Sequence, residues 1–354
     1  MDIKVSESKP ESITYLSEQS ELKVNIVPSR KSIGFIQALS MVICTIVGSG
    51  IFMTVKETFQ VFSSKSIGMV VVFWLIGGVI TMLGGLCYAE LGTRIRKTGG
   101  EKEYFAQILD KKLSIVFVIF FVFLIKTLTL GALAVTTGKN LYAIFFHDQK
   151  SETTYIEIIL AIATLLLCFI VNCVSKLISI KAGVVLMVLK IIALLILSGY
   201  GIYYLSTGNT TEWNTAFKTD GFELIKLGAC YISIFWAFDG SNTLGLIAGN
   251  MINPSRDLPL AIFVGISTII VLYVMAVVSY SSILGFDLAR KTTTIAVDAM
   301  KIAMEKASPV FSILICCSAA GAANAVMYAI SSVSASAGYN GEIPRVFSLV
   351  HKKN

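Results

Sequence analysis

The sequence predicts an all-α polytopic membrane protein. Hydrophobic residues make up 55% of the 354 residues and charged ones only 14%, where a soluble domain carries about 25% charged residues. The apolar residues fall in continuous runs of about 20, the length of helix that crosses a bilayer core. A membrane barrel would instead need short segments of alternating polarity. Mean hydropathy is +0.78.

The first 32 residues are polar and contain no apolar stretch of the kind a signal peptide has, so they read as a disordered cytoplasmic tail. A membrane domain is expected over 33–337 and a cytoplasmic C-terminal segment over 338–354. Eight apolar spans are drawn at 33–55, 66–91, 115–146, 154–174, 182–205, 223–252, 259–285 and 308–337. Between the second and third, segment 92–114 holds Arg94, Arg96, Lys97, Lys102, Lys111 and Lys112 around a Gly99-Gly100 break, and reads as an intracellular loop with a short helix.

Lysine and arginine set the orientation. With the N-terminus inside, the inner segments hold 17 of the 29 basic residues, which favours a cytoplasmic N-terminus. The same topology places the glycosylation sequon at Asn209 in an outside loop. The net charge of +7 then reads as juxtamembrane charge facing lipid, not as a nucleic-acid surface.

Several function classes find no support. The seven cysteines lie in or at the edges of apolar runs, the only histidines are His147 and His351, and no metal-ligand spacing appears. Adjacent Cys316 and Cys317 read as small packing residues. No nucleophile–base constellation suggests an enzyme, no motif suggests a cofactor, and no repeated filter ring suggests a channel.

Two spans are interrupted. The first contains Thr45-Ile46-Val47-Gly48-Ser49-Gly50-Ile51-Phe52, and each glycine costs a helix roughly 1 kcal/mol relative to alanine. The sixth contains Trp236-Ala237-Phe238-Asp239-Gly240-Ser241-Asn242-Thr243, a polar succession that is hard to keep helical at membrane depth. Broken backbone at that depth is tolerated where it lines a protein cavity. Breaks in the first and sixth spans correspond if the architecture is two repeats of five, which is the sequence pointer to a secondary transporter's binding site.

A free amino acid suits such a pair of breaks. Its carboxylate and ammonium must both be stripped of water, so each needs a partner. The N–H groups freed at Gly48, Ser49 and Gly50 suit the carboxylate, with the Ser49 hydroxyl as an added donor. Unwound carbonyls at Trp236, Ala237 and Asp239 suit the ammonium. The Asp239 carboxylate has several readings: a partner for the ammonium, a determinant of cationic side chains, a protonated acid, or the partner of a lysine.

The chain resembles the amino acid–polyamine–organocation superfamily, and within it the L-type and cystine/glutamate exchanger light chains. The likeness rests on Ile46-Val47-Gly48-Ser49-Gly50-Ile51-Phe52, on Leu86-Cys87-Tyr88-Ala89-Glu90-Leu91-Gly92-Thr93 with Lys97-Thr98-Gly99-Gly100, on Met251-Ile252-Asn253-Pro254-Ser255-Arg256-Asp257-Leu258-Pro259, and on Gly341-Glu342-Ile343-Pro344. The resemblance implies the LeuT-type inverted-repeat fold with twelve spans, of which about eight are present. A fragment, a splice form or an incomplete gene is therefore expected.

What else the resemblance implies is specific. Thr45, Ile46, Gly48, Ser49, Gly50, Trp236, Ala237, Asp239 and Gly240 would line the substrate site, with Trp236 as an aromatic outer gate. Lys190, in the fifth span, would stand where other members bind sodium, which implies sodium independence. Lys126 matches a position where many light chains carry arginine, and Asn324 matches a family asparagine in the eighth span. Light chains bond a glycoprotein heavy chain through a cysteine between the third and fourth spans. Residues 147–155 have none, so a disulfide-linked partner is disfavoured and a non-covalent one is left open. The expected function is sodium-independent transport of neutral, or cationic, amino acids by alternating access at the plasma membrane. The alternative is a non-transporting paralogue that assembles with or regulates a longer partner.

Overall fold

A computed structural model of the chain describes residues 32–62, 65–146, 155–174, 176–207, 211–218, 222–292, 294–305 and 308–349. Of the sequence expectations, the N-terminal tail up to residue 31 and the sequon at Asn209 lie outside the described residues, as does all but the last residue of segment 147–155.

The described residues are helical almost throughout, and seven helical segments are long and apolar enough to cross a membrane. The first span is α1 (Phe35–Ile46) with α2 (Gly50–Met53), followed by the short α3 (Val55–Phe59). The second is α4 (Ile67–Arg94), and the short α5 (Glu101–Tyr104) follows in the loop after it. The third runs through α6 (Lys111–Ile119), a π-helical stretch at Phe120–Ile125 and α7 (Lys126–Phe146). The fourth and fifth are α8 (Tyr155–Val174) and α9 (Lys176–Ser206).

The sixth apolar run does not form a membrane-length helix. It folds as α10 (Leu224–Ala237), 14 residues long, then turns, then α11 (Thr243–Leu246). The helix ends at the polar succession from Asp239 to Asn242, residue types of low helix propensity, where Gly240 takes a φ of +121° and the Asp239 and Asn242 side chains turn to Lys126 and Glu101. The last two long helices are α12 (Pro254–Leu284) and α15 (Ser308–Tyr339), joined by α13 (Phe286–Lys291) and α14 (Ile295–Met304). Pro254 opens α12, where its missing N–H costs nothing.

Burial separates centre from periphery. In the most apolar stretch of the first span 72% of residues are buried, against 17% in α8. The first span is therefore the axis of the bundle and α8 faces outward with Ile159, Leu167 and Phe169 exposed. α1 packs on α12, α9 and α15, while α12 lies along α4 and α15 lies along α7. Ala319, Ala322 and Ala323 make the α15 surface small enough for Leu133 of α7 to pack against it.

The start of α1 is tied to the far side of the sixth-run break. Ser32 and Ile33 donate their N–H groups to the Asn250 carbonyl at 3.1 and 3.2 Å, and Ile252 donates back to Ile33 at 3.0 Å. The two interrupted segments are thus held side by side by backbone pairing as well as by packing.

Candidate substrate site between two broken helices

α1 stops because Gly48 and Gly50 flank Ser49. Val47 caps the helix with a ψ of 80°, and Gly48 donates to the Ile46 carbonyl at 2.8 Å, a tight turn that leaves the Cys44 and Val47 carbonyls without helical donors. Lys190 of α9 takes both. Its fully buried ammonium donates to Cys44 O at 2.7 Å and Val47 O at 2.5 Å. The Ser318 hydroxyl of α15 lies 3.2 Å from Val47 O and 3.3 Å from Gly48 O. A buried charge is costly unless hydrogen-bonded, and the carbonyls of the break take two of the three ammonium N–H groups.

The two breaks touch. A Cβ on Gly50 would sit 2.5 Å from the Ala237 Cα, so glycine alone permits the approach. The Thr54 hydroxyl lies 3.0 Å from the Gly50 carbonyl and 3.3 Å from that of Ser233, sharing its one proton between the two segments. The Tyr273 hydroxyl of α12, fully buried, lies 3.1 Å from Ile46 O and 3.0 Å from Ala237 O, so its single proton is shared between one carbonyl from each break. Tyr280, two turns on, reaches Ile51 O at 3.2 Å.

A cavity opens where the breaks face α7 and α15. Thr45, Ile46, Gly48, Ser49, Gly50, Trp236 and Asp239 line it, together with Thr129, Leu133 and Val326. Its water-accessible volume of about 30 Å³ admits two or so waters and no amino acid. Among the described residues, the Ser49 and Gly50 N–H groups border it with no backbone acceptor outside the helices. Trp236 is 40% exposed.

Seven of the nine residues expected in the substrate site line this cavity. Ala237 and Gly240 do not: Ala237 is packed under Gly50 with its carbonyl on Tyr273, and Gly240 abuts Thr45. Lys126 stands behind Asp239, with Nζ to Oδ2 at 3.5 Å, and its ammonium lies over the Phe121 ring at 5.3 Å. The π-helical turn at Phe120–Ile125 changes the phase of the third span just before this lysine, a placement common near functional sites.

Asn324 belongs to a separate polar knot. It accepts from Asn172 Nδ2 at 2.8 Å and from Ser179 Oγ at 3.1 Å, and donates to Ser179 O at 3.2 Å, pinning α15 to α8 and α9. Sequence reasoning missed Tyr273 and Ser318. A tyrosine in an apolar run signals only a side chain with a polar tip, and Ser318 sits in an unremarkable run of small residues.

A second charged cluster closes the bundle end that holds α5. Lys102, fully buried, reaches Glu103 Oε1 at 2.5 Å, Glu342 Oε2 at 3.3 Å and Ser336 Oγ at 3.2 Å. Asn340 adds a hydrogen bond to Glu103 Oε1 at 3.0 Å. Burial works to raise the Glu103 carboxyl, but the hydrogen bond and charge of Lys102 outweigh it, aided by Lys97 and Gln107, and hold it below the ordinary value of 4.5. Neighbouring Glu101 goes the other way. Burial pushes its carboxyl up, against the hydrogen bond from Asn242, its own backbone and the charge of Lys126.

A family model described as amino acid permease matches residues 33–354. The chain is 27% identical over 321 residues to b(0,+)-type amino acid transporter 1 of Homo sapiens, covering 91% of this chain and 65% of that protein. It is 25% identical over 325 residues to the human cystine/glutamate transporter, with 92% and 64% covered. It is also 25% identical over 330 residues to large neutral amino acids transporter small subunit 2 of Oryctolagus cuniculus, with 92% and 61% covered. The chain thus spans about 65% of the length of the curated relatives it matches.

Proposed function

The chain belongs to the amino acid permease family, which consists of transporters and not enzymes, and from that premise we propose that it binds a free amino acid between its two broken helices and carries it by sodium-independent alternating access. The observation that carries this reading is the Lys190 ammonium on the Cys44 and Val47 carbonyls, beside a cavity bordered by free N–H groups. A fixed cation at the break braces those carbonyls as a bound sodium ion would, so no ion is needed to hold the site.

In this reading the substrate carboxylate takes the Ser49 and Gly50 N–H groups and the Ser49 hydroxyl. Its ammonium takes the Asp239 carboxylate, and Trp236 closes over the side chain. The cavity is too small for an amino acid as it stands, so entry requires the broken segments to part. Gating at helix breaks is the usual motion of such bundles. Exchange, residence in the plasma membrane, a cytoplasmic N-terminus and a non-covalent protein partner belong to the same proposal. The lysine and arginine distribution and the lack of cysteine in residues 147–155 support it.

The test is amino-acid-induced thermal stabilisation of the purified chain in sodium chloride and in choline chloride. Leucine is expected to stabilise it equally in both. Stabilisation that needs sodium overturns the role given to Lys190. In Lys190→Ala the response to leucine is expected to vanish in choline and to return in part with sodium, which then fills the vacated position. Uptake of labelled leucine into proteoliposomes, faster when leucine is loaded inside, tests exchange. Binding without uptake assigns the chain to the alternative, an assembly or regulatory partner.

A further inference from the structure

We propose that Lys126 sets the charge selectivity of the cavity by neutralising Asp239, so that the site favours amino acids with uncharged side chains over cationic ones. The inference rests on the amino acid site proposed above and adds its substrate class.

The geometry is asymmetric. Asp239 lines the cavity, and half of its side chain is exposed. Lys126 is not part of the lining. Its side chain is 7% exposed and approaches the carboxylate from behind at 3.5 Å. The ammonium is held in place by the Phe121 ring beneath it. An aromatic face attracts a cation, and more so away from water, so the lysine is anchored on the protein side of its partner.

The other charges nearby do not cancel Lys126. Glu101, on α5, is the second carboxyl within its electrostatic reach. Burial favours the neutral form of Glu101, and Asn242 supplies the hydrogen bond it receives. The lysine's charge therefore falls mainly on Asp239. The pair presents the cavity with a carboxylate that still accepts hydrogen bonds but carries little net field.

This decides between substrate classes. A zwitterion brings one charge of each sign and leaves the cavity balanced. A lysine or arginine substrate brings an extra cation close to the Lys126 ammonium. Two like charges a few ångströms apart repel, the more so where one of them is buried, as Lys126 is. Such a substrate must either bear that repulsion or displace Lys126 from Asp239. Removing the Lys126 charge should therefore open the site to cationic side chains, and removing the Asp239 charge should close it further to them.

The experiment measures binding of leucine, lysine and glutamate to the purified full chain by thermal stabilisation across a concentration series. The wild type is expected to bind leucine more tightly than lysine. In Lys126→Met the lysine-to-leucine affinity ratio is expected to rise about tenfold, the scale of one charge-assisted contact. Lys126→Arg keeps the charge and is expected to keep the wild-type ratio. Asp239→Asn is expected to lower the lysine-to-leucine ratio and raise glutamate relative to leucine. The Asp239→Asn arm also serves if Lys126→Met fails to fold, because Asp239 is half-exposed. Leucine binding with a ratio that moves less than about twofold in the charge-removing variants overturns the inference and leaves the amino acid site standing. A wild-type chain that responds to none of the three overturns the site itself, and this inference with it.

Discussion

The Tyr273 hydroxyl lies 3.0 Å from the Ala237 carbonyl, and 3.1 Å from that of Ile46. One side chain on α12 thus serves both helix breaks. The Ile46 carbonyl also accepts from Gly48 N–H at 2.8 Å, so it is chiefly the Ala237 carbonyl that depends on this hydroxyl, and a buried carbonyl left without a donor is costly. Tyr273→Phe removes the hydroxyl and nothing else. It is expected to cost about 1–3 kcal/mol of stability, read as a lowered melting temperature, and to weaken leucine binding because the breaks are no longer keyed to each other. An unchanged melt and unchanged affinity would remove Tyr273 from the site.

Gly48 and Gly50 separate in their tolerance. A Cβ at Gly50 meets the Ala237 backbone at 2.5 Å, whereas one at Gly48 meets Ala322 and Leu133 side chains at an ordinary 3.5 Å. Gly50→Ala is expected to abolish monodisperse protein on size-exclusion chromatography. Gly48→Ala is expected to fold, with a melt close to that of the wild type. The reverse ranking would mean that the two breaks do not approach as described.

The buried cluster around Lys102 is a stability element. Lys102→Met leaves Glu103 and Glu342 facing each other without their cation. Breaking a buried pair in this way costs about 3–5 kcal/mol. Glu342→Gln keeps the Lys102–Glu103 contact and is expected to cost about 1 kcal/mol. Denaturant or thermal melts of the two variants give the comparison. Equal effects would show that Lys102 does not organise the cluster more than Glu342 does.

Acid acts on this end of the bundle with two signs. The Glu103 carboxyl is held below 4.5 in the folded chain, so its stabilisation is present above the unfolded value and is lost as pH falls through the folded one. Glu101 is raised, so its contribution is present below the unfolded value and is lost as pH rises through the folded one. Glu103→Gln is therefore expected to lower stability at pH 7 and flatten the acid loss. Glu101→Gln is expected to raise stability near neutrality. Melting temperatures between pH 4 and 8 check both slopes.

The helix breaks were legible because they are local. Gly48, Gly50 and the run from Asp239 to Asn242 disfavour a helix whatever surrounds them. In the sixth span, drawn over 223–252, the helix fails within the polar run that was expected to break it: α10 ends at Ala237 and α11 starts at Thr243. Lys190 was legible only through family likeness, because an isolated lysine in an apolar helix has the same sequence signal whether it braces a break or snorkels. Ala237 and Gly240 were expected to line the substrate site, but Ala237 ends α10 and packs against Gly50, Gly240 abuts Thr45, and neither lines the cavity.

By itself the sequence determined the membrane class, the long apolar helices and the two places where helix must fail. These follow from hydropathy, length and backbone propensity, which act over a few turns of chain. Only the tertiary structure decided the partners. Lys190 meets Val47 across 143 positions, Tyr273 meets Ile46 across 227 and Lys126 meets Asp239 across 113. Contacts at such separations depend on how helices pack and on the phase in which each side chain leaves its helix. A single π-helical turn before Lys126 alters that phase, and nothing in the local pattern of apolar residues announces it.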